Sequence, residues 1–189
     1  MLFRSQSGSD RILRLMRRGH TAADYLRRIE TIKNARRQIA ITSDIIVGFP
    51  GETEQDFRDT MSLVENVKYD GLYIFKYSER PGTPAAKLAD DVSRSEKRSR
   101  FLELEELQQR QQMAIYDSYI GREVSVLAES VSAKSESDFT GHTTCHKVVN
   151  FPRHKLNLGE ITRIKITKAK QNSLYGETAN IQAAEQAGE

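Results

Sequence analysis

Cysteine and tryptophan are almost absent from this chain of 189 residues, which has one cysteine, Cys145, and no tryptophan. A single cysteine excludes an internal disulfide and is typical of a cytoplasmic protein. It also cannot supply the three or four thiolates that hold an iron–sulfur cluster. No apolar run approaches the ~20 residues of a membrane-spanning helix, and the amino terminus lacks the long apolar stretch of a signal peptide. We therefore expect a cytoplasmic protein with no membrane segment.

Two common catalytic motifs are also missing. The chain has neither the phosphate-binding Gly-x4-Gly-Lys-Ser/Thr loop nor a Gly-x-Ser-x-Gly nucleophile elbow. With 29 Lys and Arg against 26 Asp and Glu, the net charge is +3, which weakly favours a polyanionic partner.

The most informative stretch is an apolar, β-branched run over residues 39–47 that leads into a Gly-Phe-Pro-Gly-Glu loop at residues 48–52. The run predicts a buried parallel strand, and Thr53 with Asp56 predicts the start of a helix that continues to about Val67. Ligands of α/β proteins bind at such strand-to-helix loops. Glu52 would repel a phosphate but suits a ligand that offers hydroxyl or amine donors, such as a ribose or an adenine. The alternative is an ordinary turn.

Three polar glycine loops, around Gly8, Gly51 and Gly82, each follow a predicted strand. The first strand is a stub within residues 2–9, and the last covers residues 71–77. In a (βα) array these loops lie on one face, which is normally the active face. Two strands and a stub cannot close a barrel, so the chain resembles the second half of a larger α/β fold.

The pattern changes after a long polar helix that begins at a capping box of Ser93 and Glu96 and extends to Ile120. From Arg122 onward, five short alternating segments predict an all-β domain, a small barrel of the oligonucleotide-binding size. The predicted organisation is therefore an α/β region over residues 1–121, a five-stranded β-barrel over residues 122–180 and a disordered tail over residues 181–189.

The predicted barrel carries features of a nucleic-acid-binding surface. Phe151 offers a ring for base stacking beside Lys147 and Asn150. A basic strand and its exit supply further positive charge from Arg163, Lys165, Lys168 and Lys170. The alternative is a core phenylalanine and a solvated strand face.

Two other groups of residues are weaker signals. His142, Cys145 and His146, with His154 nearby, have a spacing that could ligate zinc, but one thiolate on an alternating strand favours an incidental arrangement and no metal site. A series of arginines near the amino terminus could meet RNA or could be solvated helix faces; its members are Arg14, Arg17, Arg18, Arg27, Arg28, Arg36 and Arg37.

Four segments, in order and spaced as expected, resemble a known family. They are Gln-Ser-Gly-Ser-Asp at 6–10, Ser-Asp-Ile-Ile-Val-Gly-Phe-Pro-Gly-Glu-Thr at 43–53, Phe-Lys-Tyr-Ser-Glu-Arg-Pro-Gly-Thr-Pro at 75–84 and Lys-Val-Val-Asn-Phe-Pro at 147–152. Together they are similar to the carboxyl-terminal half of the MiaB-type radical S-adenosylmethionine (SAM) tRNA methylthiotransferases. The resemblance implies the last strands of a partial (βα) radical-SAM barrel, followed by a TRAM domain.

That resemblance implies an enzyme that places a methylthio group on C2 of an N6-isopentenyladenosine beside the tRNA anticodon. Family members use SAM and two [4Fe–4S] clusters, one of which cleaves SAM; C2–H bonds need such cofactor chemistry because no side-chain base ionises them. The cluster ligands are not in this chain. The expected partners are therefore tRNA, SAM and a missing amino-terminal cluster-binding half.

The resemblance also assigns residues, none of them catalytic and none a metal ligand. The expected SAM-binding residues are Gln6, Ser7, Gly8, Ser9, Asp44, Gly48 and Glu52. The expected substrate-side residues are Tyr77, Arg80, Gly82 and Thr83. The expected RNA-binding residues come instead from the barrel pattern described above, and they are Lys147, Asn150, Phe151, Arg163, Lys165 and Lys168.

Several alternatives remain open from the sequence. The chain could be a stand-alone TRAM RNA-binding module on a vestigial half-barrel, or it could belong to the threonylcarbamoyl-adenosine or ribosomal-protein branch of the methylthiotransferases. Residues 1–5 differ from the strand that the family places before the first loop. We therefore expect that they are not native. We also expect that the chain alone is inactive, because it lacks the cluster ligands.

Overall fold

The structure is a computed structural model that describes residues 4–153 and 156–179. The chain divides into two compact units, with the division between Gln112 and Met113. The disordered tail predicted for residues 181–189 lies outside the described residues. Among those described, no helix combines the length and apolar character that crossing a membrane requires.

The first unit alternates helices and strands, as the sequence predicts. In chain order its elements are α1 (Asp10–Leu15), α2 (Ala22–Lys33), β1 (Thr42–Val47), α3 (Glu54–Val67), β2 (Gly71–Lys76), a 3₁₀ helix (Pro84–Lys87) and α4 (Arg94–Asp117), which extends past the division. Capping boxes start α2 and α3, where Thr21 pairs with Asp24 and Thr53 pairs with Asp56.

The sheet of this unit consists of β1 and β2, which run parallel, with Ile45 opposite Ile74. The predicted first strand is reduced to one bridge, in which Gln6 pairs with Ile45. The sequence predicts residues 39–41 as part of this strand, but the pairing of β1 with β2 begins at Thr42. The partial α/β barrel predicted from the sequence is confirmed.

One face of the sheet is covered and the other is partly open. Ile45 and Val47 are buried against α3 and α4 in a core that includes Phe57, Val64 and Leu104. The opposite face carries Asp44 and Ile46 beside Tyr73 and Phe75. Tyr73 and Phe75 are 61% and 53% exposed, so two aromatic rings on this face remain uncovered.

The second unit is a closed five-stranded barrel with the strand order β3-β4-β5-β7-β6. Its strands are β3 (Glu123–Ser132), β4 (Ser135–Thr143), β5 (Val148–Pro152), β6 (Ile161–Lys170) and β7 (Ser173–Thr178). Gly141 permits the closure, because a Cβ there would overlap the carbonyl oxygen of Leu127. The small β-barrel predicted from the sequence is confirmed.

Candidate functional site

The first predicted loop starts where Gln6 joins the edge of β1. The Gln6 N–H donates to the carbonyl oxygen of Asp44 at 2.9 Å, and the Ile46 N–H donates to the carbonyl oxygen of Gln6 at 3.0 Å. Gln6 has a φ of +64°, a left-handed conformation that is uncommon for a residue with a Cβ. Ser9 then caps α1 by accepting from the Ile12 N–H. The chain thus turns sharply beside Asp44.

Two buried oxygens at this turn have no hydrogen-bond partner among the described residues: Gln6 Oε1 and Asp44 Oδ1. The second carboxylate oxygen, Asp44 Oδ2, lies 3.5 Å from Arg4 Nε. An unpaired buried acceptor costs about 1–3 kcal/mol. Such atoms are rare in folded proteins unless water or a ligand satisfies them. Each of the two oxygens can therefore accept a hydrogen bond from a ligand or from water.

The second loop is held from inside by Glu52. The Glu52 side chain is 1% exposed and accepts from the Gly48 N–H at 2.6 Å and from Arg100 Nη1 at 2.9 Å. Burial raises the pKa of Glu52, although the Gly48 N–H and the Arg100 guanidinium oppose that rise. The carboxylate that the sequence assigns to a ligand thus holds the loop to helix α4.

Lys97 of α4 also closes over this loop. A Cβ on Gly48 would overlap the methylene chain of Lys97, so Gly48 is needed for this packing. The Lys97 ammonium lies 2.6 Å from both carboxylate oxygens of Asp90 and 5.2 Å from the centre of the Tyr77 ring. Helix α4 therefore positions the second loop through two buried cations, Lys97 and Arg100.

Asp56 joins the first loop to the second. Its Oδ1 accepts from Ser9 Oγ at 2.6 Å, while its Oδ2 accepts from the Thr53 N–H and pairs with Arg11. Burial disfavours the ionised form, but the hydrogen bonds from Arg11, Ser9 and Thr53 outweigh it and hold the pKa of Asp56 well below its usual range. The sequence predicts Asp56 only as a helix cap, and it gives no signal for the second role.

The remaining residues of the first loop face α3. Ser7 Oγ lies 3.3 Å from Thr60 Oγ1, and the Gly8 N–H donates to the same hydroxyl at 2.9 Å. A Cβ on Gly8 would overlap the carbonyl oxygen of Asp59. Ser7 and Gly8 therefore fix the loop to α3.

The third loop follows β2 and is more exposed. The Tyr77 N–H extends the ladder to Val47 at 2.9 Å, and its ring packs edge-on against Phe49 at 5.2 Å. Farther along, Thr83 Oγ1 donates to the Arg80 carbonyl oxygen at 2.8 Å, across the left-handed Gly82. Tyr77 is thus joined to the second loop, whereas Arg80 and Gly82 belong to an exposed turn.

In the barrel, two of the predicted RNA-binding residues point inward. Phe151 is fully buried in the core, and Lys147 is 3% exposed with its ammonium 5.5 Å from the ring centres of Tyr116 and Tyr119. Base stacking on Phe151 is therefore wrong for the closed barrel. The reason is strand alternation, since Val149 and Phe151 share the buried face of β5.

The basic residues of the predicted strand are exposed, and acidic neighbours balance the charge of only some of them. Arg163 Nη2 lies 3.2 Å from Glu123 Oε2, and Lys165 is paired in register with both Glu123 and Glu177. A bulge follows Ile166, after which Lys168 lies opposite Tyr175. Lys168 is thus separated from the other two predicted basic residues.

The histidines singled out by the sequence stack on each other. The His142 and His146 rings are 4.4 Å apart, and His142 Nδ1 lies 2.6 Å from Glu129 Oε2. Within residues 4–153 and 156–179, no group of three His, Cys, Asp or Glu side chains could hold a metal ion. His154 lies outside the described residues.

Comparison with known proteins adds two family matches. Residues 3–64 match the Radical SAM superfamily, and residues 117–179 match the TRAM domain. A protein of Alkalilimnicola ehrlichii is 48% identical over 172 residues, and one of Acetivibrio thermocellus is 46% identical over 171 residues. Both are named tRNA-2-methylthio-N(6)-dimethylallyladenosine synthase.

Over nearly all of its own length the chain is therefore similar to these synthases. The aligned part covers 91% of this chain but 38% of the Alkalilimnicola relative, and 90% of this chain but 36% of the Acetivibrio relative. The chain therefore spans a little over a third of the length of these relatives. The family matches agree with the observed order of an α/β unit followed by a closed β-barrel.

Proposed function

We propose that this chain is the carboxyl-terminal part of a MiaB-type tRNA methylthiotransferase, in which the first unit binds SAM and the barrel binds tRNA. The reaction would place a methylthio group on C2 of N6-isopentenyladenosine. The observation that carries the SAM assignment is that the first loop and the adjoining strand hold two unpartnered buried acceptors, Gln6 Oε1 and Asp44 Oδ1. SAM offers an ammonium group, two ribose hydroxyls and an adenine amine as donors.

The remaining residues of the loops would preorganise this site. Asp56 fixes the first loop to α3, and Glu52 with Arg100 fixes the second loop to α4. A site held by buried hydrogen bonds loses little conformational entropy when it binds its ligand. Tyr77, Arg80, Gly82 and Thr83 follow the adjacent strand, which supports their assignment nearer the substrate.

The iron–sulfur clusters fit this chain less well than SAM does. A cluster needs three or four thiolates, and the chain has one cysteine, Cys145, in the barrel unit. When bound, the clusters and SAM supply the radical chemistry that an unactivated C2–H bond requires. We infer that the thiolates come from sequence beyond these 189 residues, and that the chain alone is inactive.

A second candidate is a stand-alone RNA-binding module. The observation in its favour is that the barrel closes on its own core within a separate compact unit. Both candidates predict tRNA binding, but only the enzyme predicts SAM binding in the first unit.

A chimera separates the two candidates. In it, this chain replaces the segment that it matches in the Alkalilimnicola relative, and the clusters are reconstituted anaerobically. The enzyme proposal predicts cluster-dependent cleavage of SAM by the chimera but not by the chain alone. If the parent relative cleaves SAM and the folded chimera does not, the enzyme proposal fails for this chain.

A matched pair of variants tests the SAM site in the same chimera. Asp44→Asn removes acceptor capacity at the unpartnered position, so we expect SAM affinity to fall roughly 10- to 100-fold. Asp59→Asn makes the same chemical change at an exposed position of α3 and should leave affinity unchanged. Equal affinities in equilibrium dialysis with labelled SAM would remove Asp44 from the site.

A further inference from the structure

The outer surface of the barrel carries a tyrosine beside basic and amide side chains. Strand alternation in the sequence does not predict this arrangement. Four strands each contribute one residue to a single row: Thr140 of β4, Asn150 of β5, Tyr175 of β7 and Lys168 of β6, which are paired in that order. Neighbours in such a row have Cβ atoms roughly 5 Å apart. The row is therefore continuous across the sheet.

A β-bulge creates this row. Before the bulge, Arg163 and Lys165 point outward while Ile164 and Ile166 are buried. Strict alternation would then turn Lys168 inward with Ile166. Because Thr167 is the extra residue between Ile166 and Lys168, the phase changes and Lys168 lies exposed opposite Tyr175. Lys170 also lies outside, opposite Ser173.

The charge of the sheet differs on the two sides of the bulge. Before it, Arg163 and Lys165 are balanced by Glu123 and Glu177, which are their ion-pair or register partners. After it, Lys168 and Lys170 flank Tyr175, and the Lys170 ammonium lies 5.6 Å from the centre of the Tyr175 ring. A polyanion therefore meets less carboxylate on the Lys168 side.

Carboxylates are also present near the tyrosine. Burial raises the pKa of Tyr175, and the charges of Asp138 and Glu177 add to that rise, so the phenol is neutral at physiological pH. Asp138 pairs in register with Pro152, which Arg153 directly follows. Arg153 and the two lysines together outnumber these two acids.

Asn150 supplies a directional donor next to the ring. Its Oδ1 already accepts from Ser132 Oγ at 3.2 Å and from Thr140 Oγ1 at 2.5 Å. The Nδ2 group has no partner among the described residues, so its N–H groups can donate to an acceptor on a base edge. Ring, amide and ammonium groups thus occur together, as in surfaces that bind single-stranded RNA.

We propose that an unpaired RNA base stacks on Tyr175, with Asn150 Nδ2 donating to the base and with Lys168 and Lys170 contacting the adjoining phosphates. This assignment rests on the proposed binding of tRNA by the barrel. It replaces Phe151 as the stacking residue, and it moves the interface from Arg163 and Lys165 to the far side of the bulge.

Fluorescence anisotropy of the 189-residue chain with a labelled tRNA anticodon stem–loop tests this surface. Alanine at a stacking aromatic residue costs about 1–3 kcal/mol, so Tyr175→Ala should weaken binding roughly 5- to 150-fold. Tyr175→Phe should bind within about twofold of the wild type because it retains the ring. Ile161→Ala is the matched control, since Ile161 is exposed on β6 outside the row.

The dependence of affinity on salt distinguishes stacking from charge. Replacing both lysines in Lys168→Ala/Lys170→Ala should reduce the slope of log K against log salt by about 1.4, or about 0.7 for each phosphate contact with a single strand. Tyr175→Ala should leave that slope unchanged. Circular dichroism of each variant checks that the barrel is folded.

Three results would overturn the assignment. One is wild-type affinity in Tyr175→Ala, and another is equal weakening by Ile161→Ala. The third is cross-linking of a 5-iodouridine-substituted stem–loop to the wild-type chain at other tyrosines but not at Tyr175, a result that needs no variant to fold. Failure of the wild-type chain to bind RNA at low salt would instead overturn the proposed tRNA binding itself.

Discussion

Replacing Arg100 with methionine should destabilise the first unit strongly, because it leaves the Glu52 carboxylate buried without its cation. Arg100 Nη1 lies 2.9 Å from Glu52 Oε2, and the two side chains are 6% and 1% exposed. Without Arg100, the Gly48 N–H is the remaining described donor to that carboxylate. Breaking a buried ion pair in this way typically costs about 3–5 kcal/mol. Methionine keeps apolar contact with Phe57, over whose ring the guanidinium lies.

Urea unfolding followed by circular dichroism at 222 nm measures this loss, since the described α-helices lie within residues 10–117. We expect the midpoint to fall by more than about 1 M urea. Arg110→Met is the control on the same helix, because Arg110 forms an exposed pair with Glu106 and its loss should not be measurable. The double variant Glu52→Gln/Arg100→Met should recover much of the stability.

The loss should also depend on pH, because burial raises the pKa of Glu52. A carboxyl group with a raised pKa in the folded state gains relative stability as the pH falls and the group binds a proton. The deficit of Arg100→Met should therefore shrink between pH 7 and pH 5. A midpoint equal to that of Arg110→Met, or a deficit that grows on acidification, would refute this account of the loop.

Two further changes test the contacts of the first loop by the same urea assay. Gly8→Ala should cost about 1–3 kcal/mol, because its Cβ would overlap the backbone of Asp59. The control Gly19→Ala meets nothing within 4 Å and should be neutral. Equal urea midpoints for the two variants would contradict this. The pKa of Asp56 is lowered, so its contribution to stability is complete above the ordinary value of 3.8 and declines as the pH falls below it. Asp56→Asn should therefore flatten the acid side of the plot of unfolding free energy against pH. An unchanged acid side would contradict that role.

Local patterns predict most of the fold. The capping boxes at Thr53 and Ser93 start helices where expected, because each depends on residues three positions apart. The alternation of Val149 and Phe151 correctly marks β5. The same alternation places Phe151 in the core beside Val149, so the burial of Phe151 is predictable from the sequence.

Long-range pairs could not be predicted in the same way. Arg100 reaches Glu52 across 48 positions, and Arg11 reaches Asp56 across 45, so neither pair leaves a local pattern. The bulge at Thr167 depends on the register between β6 and β7, which a single strand does not encode. The residues that position the loops and the tyrosine on the barrel surface therefore emerge only in three dimensions.

The most direct test of the central claim is mass spectrometry of tRNA treated with the reconstituted chimera and SAM. The substrate is a tRNA that carries N6-isopentenyladenosine beside its anticodon, and the parent relative is the positive control. We expect a 2-methylthio group on that adenosine with the chimera, and none when the same tRNA lacks the isopentenyl group. Modification by the parent but not by a folded chimera that binds the tRNA would contradict it.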